Sequence, residues 1–189
     1  MDKTTVFNLA LSLIGESRYV ADSGVVNPCE LWFPTVLREA GVRHNWTFTR
    51  KITTLTRQTD GTYHLPSDCM NIMFLRDSSG MRPSRLTVID RKCHTDLSGV
   101  ATLVYQSSSI IDSQELPDDS PEFCTGVAYL LAARIARAVT GTHDSAEFCE
   151  QMAEVQFLKA ITRDAQQEAS NKTDPFLSSD PTANSELYY

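Results

Sequence analysis

Apolar residues recur at the three-to-four-residue spacing of an amphipathic α-helix in four separate stretches of the chain. Start signals precede three of them, at Thr4 or Thr5, at Asn27-Pro28 and at Ser120-Pro121. Gly15 and Gly41 lie where a left-handed residue would end the first two. The spacing predicts helices over about residues 4–15, 28–43, 120–140 and 145–169.

The first of these helices is apolar on two sides. One face carries Val6, Leu9, Ala10 and Leu13. The opposite face carries Phe7 and Leu11. A helix that is apolar on two sides is usually buried on two sides, by its own core and by a neighbouring chain. We therefore predict that Phe7 and Leu11 belong to a subunit interface.

The two C-terminal helices each carry one apolar stripe that is predicted to face the core. The stripe of the third helix is Phe123, Val127, Leu130, Leu131, Ile135 and Ala138. Alanines beside that stripe allow another helix to approach closely. The stripe of the fourth helix is Phe148, Met152, Val155, Leu158 and Ile161.

The middle third of the chain changes to short runs of β-branched and aromatic residues separated by turn signals. These runs predict an antiparallel β-layer of about four strands, within about residues 48–106. The predicted fold is therefore α+β and mainly helical. It has a four-helix bundle core, with the small antiparallel β-layer inserted between the helix pairs, in one domain over residues 1–170.

Residues 171–189 have a different composition from the rest of the chain, rich in Ser, Asp, Asn, Thr and Pro. Segments of this kind contain few aromatic residues as a rule. This one nevertheless contains Phe176, Leu177, Leu187, Tyr188 and Tyr189. We interpret it as an extended C-terminal arm whose apolar residues bind a partner or a neighbouring subunit. A tail without such a role is the alternative.

The overall composition is ordinary for a globular protein of 189 residues, with 41% hydrophobic and 22% charged residues. The net charge of −7 disfavours binding to nucleic acid, which is built mainly from Lys and Arg. Neither a membrane-spanning stretch nor a signal peptide is recognisable, so synthesis in a reducing cytoplasm is expected. The five cysteines are interpreted as buried packing residues, with metal ligation or nucleophilic chemistry as the alternative.

Sequence motifs for catalysis or cofactor binding are not found, and the four histidines lack metal-ligand spacing. No catalytic residue, metal or cofactor is therefore expected. One cluster of carboxylates can be interpreted in two ways. It consists of Glu115, Asp118, Asp119 and Glu122. Acidic residues gather at a helix N-terminus because the helix dipole favours negative charge there. The alternative is a pair of catalytic carboxylates in a glycosidase.

One basic run lies within the predicted β-layer and consists of Arg82, Arg85, Arg91 and Lys92. It is a candidate contact face for phosphate or for an acidic neighbour. A solvated sheet face is the alternative. Aromatic residues do not alternate with these cations, which argues against a platform for single-stranded nucleic acid.

Several short motifs resemble, in order and spacing over residues 5–165, the tail tubular protein A-like family. This family comprises the head-to-tail adaptor (connector) proteins of short-tailed bacteriophages. The motifs are Asn8-Leu9-Ala10-Leu11-Ser12-Leu13-Ile14-Gly15-Glu16, Cys29, Leu37-Arg38-Glu39, Trp46-Thr47-Phe48, Tyr63-His64-Leu65-Pro66-Ser67-Asp68-Cys69, Pro121-Glu122-Phe123, Ile135-Ala136 and Thr140-Gly141. The resemblance rests on the shared order and spacing of these motifs.

The resemblance implies a structural subunit of the virion at the head–tail junction and not an enzyme. It implies a homo-oligomeric ring, a dodecamer, that binds the portal protein on one side and the tail nozzle or tube protein on the other. DNA would pass through the lumen without sequence-specific binding. Two other functions stay open: a tail-associated peptidoglycan hydrolase that uses the carboxylates near Glu122, and a non-viral protein-interaction module.

Overall fold

The computed structural model describes residues 1–17, 19, 27–139 and 144–173. Within them the α+β prediction is confirmed, because five α-helices accompany two small antiparallel sheets. The helices are α1 (Lys3–Leu13), α2 (Pro28–Val42), α3 (Ser109–Ser113), α4 (Pro121–Val139) and α5 (Asp144–Thr173). The strands are β1 (Arg50–Thr56), β2 (Tyr63–His64), β3 (Cys69–Asp77), β4 (Leu86–Ile89), β5 (Lys92–Thr95) and β6 (Val100–Ser107).

The chain divides into two compact units. A helical unit comprises Met1–Val36 and Leu116–Tyr189, and a β unit comprises Leu37–Glu115. One boundary therefore falls within α2, after Val36. The four long helices match the predicted ones to within a few residues at each described end. None of the described helices is both long and apolar enough to cross a membrane.

Helix α4 is the central element of the helical unit, and both α1 and α5 pack against it. Its buried side chains surround most of its circumference, from Phe123 to Ala136. Small residues allow α5 to approach closely. A Cβ placed on Gly126 of α4 would lie 3.0 Å from the ring of Phe157 in α5. The two helices therefore meet through shape complementarity that leaves no room for another methyl group.

Local capping explains where α1 begins and ends. The Asp2 side chain accepts a hydrogen bond of 2.7 Å from the backbone N–H of Thr5, so Asp2 is the cap and not Thr4 or Thr5 as predicted. At the other end Gly15 has a φ of 77°, as predicted for a left-handed terminator. The backbone N–H of Glu16 donates to the carbonyl of Leu11, which completes a Schellman motif.

The predicted single β-layer is wrong in its architecture, because the strands form two three-stranded sheets. The first has the order β1-β6-β3, and the second has the order β2-β5-β4. A shared core contains Leu75, Leu103 and Tyr105 from the first sheet and Tyr63 and Cys93 from the second. The described residues contain six strands where about four were predicted, because β2 and β5 are short and contain few β-branched residues.

The end of α2 that belongs to the β unit is fixed by two buried side chains. The indole nitrogen of Trp46 donates to the carbonyl of Ala40 at 3.0 Å. The side-chain amide of Gln106 on β6 donates to the carbonyls of Gly41, at 2.7 Å, and His44, at 2.9 Å. Helix C-termini leave carbonyl groups without partners, and these side chains satisfy two such groups, at Ala40 and Gly41, together with the carbonyl of His44 just beyond the helix.

Candidate functional site

The face of α1 that was predicted to contact another subunit is buried within the chain itself. Phe7 is 1% exposed and Leu11 is also buried. The Phe7 ring makes edge-to-face contacts with Phe33, at 5.0 Å between centroids, and with Tyr19, at 5.1 Å. The interface role predicted for Phe7 and Leu11 is therefore corrected to an internal packing role, since α1 buries both residues against its own unit.

In helix α5 the prediction is wrong in the opposite sense, because three residues that were predicted to face the core point outward. Phe148 is 57% exposed, Leu158 is 63% exposed and Val155 is exposed as well. The buried positions are instead Cys149, Ala153, Phe157, Ala160 and Asp164. Gly126 of α4 leaves space for the Phe157 ring, and the other covered residues of α5 are mostly small, while Phe148, Val155 and Leu158 lie outside.

Phe148, Val155 and Leu158 follow one another at spacings of seven and three residues, so they form one stripe along α5. We call this stripe the α5 outer face. A second exposed apolar pair lies near the start of α2, where Leu31 is 64% exposed and Trp32 is also exposed. Contiguous exposed apolar residues on helices are typical of protein–protein contact surfaces. Both positions belong to the helical unit.

The four basic residues predicted as a contact face do not form one free cationic patch. The Lys92 ammonium forms an ion pair of 2.9 Å with Asp60, and the Arg91 guanidinium donates to the carbonyl of Pro66. Arg82 lies 5.9 Å from the centroid of the Phe74 ring. Arg85 is exposed. The charge of this region is therefore partly neutralised, although three of the four side chains stay accessible to an acidic partner.

Strand β4 is exposed along its whole length, on both faces. Within the described part of the chain it is an edge strand, paired with β5 alone. An open groove of about 400 Å³ lies between β4 and β3. Its lining comprises Leu65, Cys69, Met70, Asn71, Ile72, Leu86, Val88 and Arg91. This groove lies entirely within the β unit.

Two residues of the acidic cluster, Glu122 and Asp118, form ion pairs with cationic groups, whereas Glu115 and Asp119 are exposed. Arg163 of α5 contacts both carboxylate oxygens of Glu122, at 2.9 and 3.0 Å. A hydrogen bond from the backbone N–H of Glu122 itself, aided by Arg163, lowers the pKa of this carboxyl group. A glycosidase general acid needs a raised pKa, so Glu122 is poorly suited to that role. Asp118 binds the ammonium group of Met1.

The cysteines pack as small apolar side chains wherever they are fully covered. Cys29, Cys93, Cys124 and Cys149 are buried, and Cys69 is partly buried. Burial raises the pKa of Cys29 and of Cys124 to about 11, so both thiols stay protonated at neutral pH. Among the described residues, three or more potential ligands do not come together in a group that could hold a metal ion.

The predicted partner-binding residues Phe176, Leu177, Leu187, Tyr188 and Tyr189 lie outside the described residues. Helix α5 continues to Thr173, past the predicted end of the domain at residue 170. The chain matches no protein-family model, and a search of curated proteins returned no significant relative. The candidate sites are therefore surfaces of the two units, namely the α5 outer face, the exposed start of α2, and the β4 edge with its groove.

Proposed function

We propose that this protein is a structural subunit of a bacteriophage head-to-tail connector ring. One side of the ring binds the portal protein, and the other binds the tail tube or nozzle protein. DNA passes through the lumen, and the number of copies is twelve, as in the family that the sequence resembles. In this proposal α1, α2, α4 and α5 form the four-helix bundle that builds the wall of the ring.

The observation that carries the proposal is the α5 outer face. Two large apolar residues, Phe148 and Leu158, are more than half exposed on a helix whose other face is already packed. A lone apolar residue on a surface needs no explanation, but a stripe along one helix indicates a contact. The exposed pair Leu31 and Trp32 on α2 offers a second and different apolar surface.

A subunit with two different contact surfaces can assemble into a ring. When one surface of a copy contacts another surface of the next copy, the contact is heterologous, and it closes into a ring if the rotation is right. In our proposal the α5 outer face of one copy contacts the start of α2 in the next. The subunit interface thus shifts from Phe7 and Leu11 to these exposed residues.

The charge of the chain supports passage of DNA without retention. Each copy has a net charge of −7, so a dozen copies place on the order of 80 negative charges around the ring. We expect no measurable binding to duplex DNA at physiological salt. Tight binding with a steep salt dependence would contradict this and would implicate Arg82 and Arg85.

The decisive experiment tests assembly with a helix-face substitution. Leu158→Lys replaces an exposed apolar side chain, so thermal unfolding of the monomer should change little while ring formation is lost. The matched control is Gln167→Lys, which adds the same charge elsewhere on α5 and should leave assembly unchanged. Light scattering measures the assembly state, and electron microscopy of the chain mixed with its portal protein tests the attachment.

Two results would overturn the proposal. One is a Leu158→Lys protein that assembles and binds the portal protein as well as the unsubstituted chain does. The other is an unsubstituted chain that stays monomeric and does not bind when it is mixed with an excess of the portal protein. A cell-wall turbidity assay tests the hydrolase alternative, and we expect no clearing.

A further inference from the structure

Among the strands that the structure describes, β4 has one backbone edge without a partner strand. A two-residue turn, Asp90-Arg91, joins it to β5, and both turn residues have positive φ angles, of 49° and 60°. In such a hairpin the flanking residues Ile89 and Lys92 form the hydrogen-bonded pair, and the pairs alternate from there. The backbone N–H and C=O groups of Leu86 and Val88 therefore point away from β5, toward the open edge.

The same two residues direct their side chains into the groove. Val88 pairs with the buried Cys93, so its side chain lies on the inner face of the sheet, and Leu86 shares that face two residues earlier. They are nevertheless 47% and 40% exposed, because the groove between β4 and β3 is unfilled. An unpaired edge beside an apolar groove is the arrangement that accepts an additional extended strand.

Arg91, the charged side chain that lines the groove, favours an acidic strand, although Asp90 and Asp96 lie near the two ends of β4. Arg91 lines the groove, and the exposed Arg85 directly precedes β4. Pairing of β4 with the β4 strand of a second copy would bring these cations close to their own counterparts, and like charges across paired strands are destabilising. A strand that carries negative charge avoids this repulsion.

One segment of the chain has the matching pattern. Residues 174–189 contain Asp174, Asp180 and Glu186 and have no Lys or Arg. In an extended conformation of Ser185-Glu186-Leu187-Tyr188-Tyr189, the side chains of Leu187 and Tyr189 lie on the same face. They repeat the two-residue spacing of Leu86 and Val88. A segment of 16 residues can extend roughly 50 Å, enough to reach another molecule.

We propose that residues 185–189 of a second copy add to β4 as an extra strand, with Leu187 and Tyr189 in the groove. This inference rests on the proposed function for its assembly of several copies, and it names the acceptor of the C-terminal arm. Backbone hydrogen bonds to Leu86 and Val88 provide affinity, while the groove selects the two apolar side chains. Glu186 lies near the arginines.

The test is a complementation between two full-length variants. The acceptor-defective variant is Val88→Glu, which puts a negative charge in the groove and repels the acidic segment. The donor-defective variant is Leu187→Ser combined with Tyr189→Ser. Each variant alone should self-associate at least about tenfold more weakly than the unsubstituted chain, as measured by analytical ultracentrifugation. A mixture of the two should recover association, because each retains the element that the other lacks.

The matched control is Ile89→Glu, which makes the same charge change one residue later on the outer face of β4 and should have little effect. Circular dichroism verifies that each variant is folded. Unchanged self-association of Val88→Glu, or no recovery in the mixture, overturns the inference. Because portal binding is measured separately, a chain that complements but does not bind the portal protein would refute the proposed function and leave this inference standing.

Discussion

The interior of the helical unit and the interior of the β unit are stabilised by different kinds of contact. In the helical unit, α4 and α5 meet through small residues and a close-packed ring, so shape decides the fit. In the β unit, hydrogen bonds of polar side chains carry more of the specificity, including those of the buried Gln106 amide and of the partly exposed Asp68 carboxylate. The helical unit should therefore respond most to changes of side-chain volume, and the β unit to changes of hydrogen bonding and pH.

This difference also explains where each unit can bind a partner. The covered face of α5 carries Phe157 and several small residues, while Phe148, Val155 and Leu158 lie on the outside. The β unit has two sheets over one small core, and β4 extends past the part that is covered. Each unit thus exposes apolar surface for its own physical reason, one on a helix face and one at a strand edge.

The largest expected effect is the loss of Phe7 from the helical unit. Phe7→Ala removes a ring that is 1% exposed and leaves a cavity beside Phe33 and Tyr19, so it should lower the free energy of unfolding by about 3–5 kcal/mol. Urea unfolding followed by circular dichroism measures this. Leu9→Ala on the same helix is the control, with an expected cost below about 1 kcal/mol because Leu9 is partly exposed. If Phe7→Ala lowers the free energy of unfolding by no more than Leu9→Ala does, the burial of Phe7 is contradicted.

A pair of identical substitutions compares the two units directly. Gly126→Ala in α4 places a methyl group 3.0 Å from the buried Phe157 ring, and it should destabilise the protein by about 1–3 kcal/mol despite the better helix propensity of alanine. Gly41→Ala in α2 meets nothing closer than 3.8 Å and should stabilise by about 0.5–1 kcal/mol. Shifts of the melting temperature in opposite directions are expected. A stabilising Gly126→Ala would contradict tight packing between α4 and α5.

The helices were predictable because their signals are local. The spacing of apolar residues, the Asn27 cap and Gly15 all act within a few residues, and each has its predicted role at the helix ends. Gly41 was expected to end α2, yet it lies inside the helix. Its carbonyl accepts a hydrogen bond from Gln106, 65 residues away in the sequence. Such a long-range contact leaves no local pattern.

The candidate surfaces were harder to predict than the elements that carry them. Periodicity shows which residues of α5 share a face, but it does not show which face is covered. The answer depends on α4, where the lack of a side chain at Gly126 makes room for the Phe157 ring. A search for small residues on a neighbouring helix would have pointed to the Phe157 side of α5 as the covered face. The β4 edge depends on pairing between distant strands and has no comparable signal.

The hydrogen bonds of Asp68 predict a pH dependence that originates in the β unit. Lys51 donates to this carboxylate at 2.7 Å, and Ser107 and Tyr105 also donate to it, which lowers the pKa of Asp68 to about 2. Because the pKa is lower in the folded state than in the unfolded state, the stabilisation is present above about pH 4. It is lost as the pH falls through about 2.

Asp68→Asn should therefore destabilise the protein by about 1–2 kcal/mol at pH 7, and the difference should shrink toward pH 2. Thermal unfolding of both proteins across this range measures the effect. Asp119→Asn serves as the control, since Asp119 is an exposed carboxylate of the helical unit. A difference for Asp68→Asn that stays constant from pH 7 to pH 2 would show that the carboxylate does not contribute through its charge.

The smallest expected effect concerns the turn between β4 and β5. Arg91 has a φ of 60°, in the left-handed region where a side chain is strained and glycine is not. Arg91→Gly converts the turn to Asp-Gly, a favoured pair for this hairpin, and should stabilise the β unit by about 0.5–1 kcal/mol. The exposed hydrogen bond from Arg91 to Pro66 is lost, and because water replaces it the loss is smaller than the gain. Asp90→Gly is the control, since aspartate tolerates positive φ better than arginine does, and its effect should be smaller. Thermal unfolding measures both, and a destabilised Arg91→Gly protein would mean that the contact with Pro66 outweighs the relief of backbone strain.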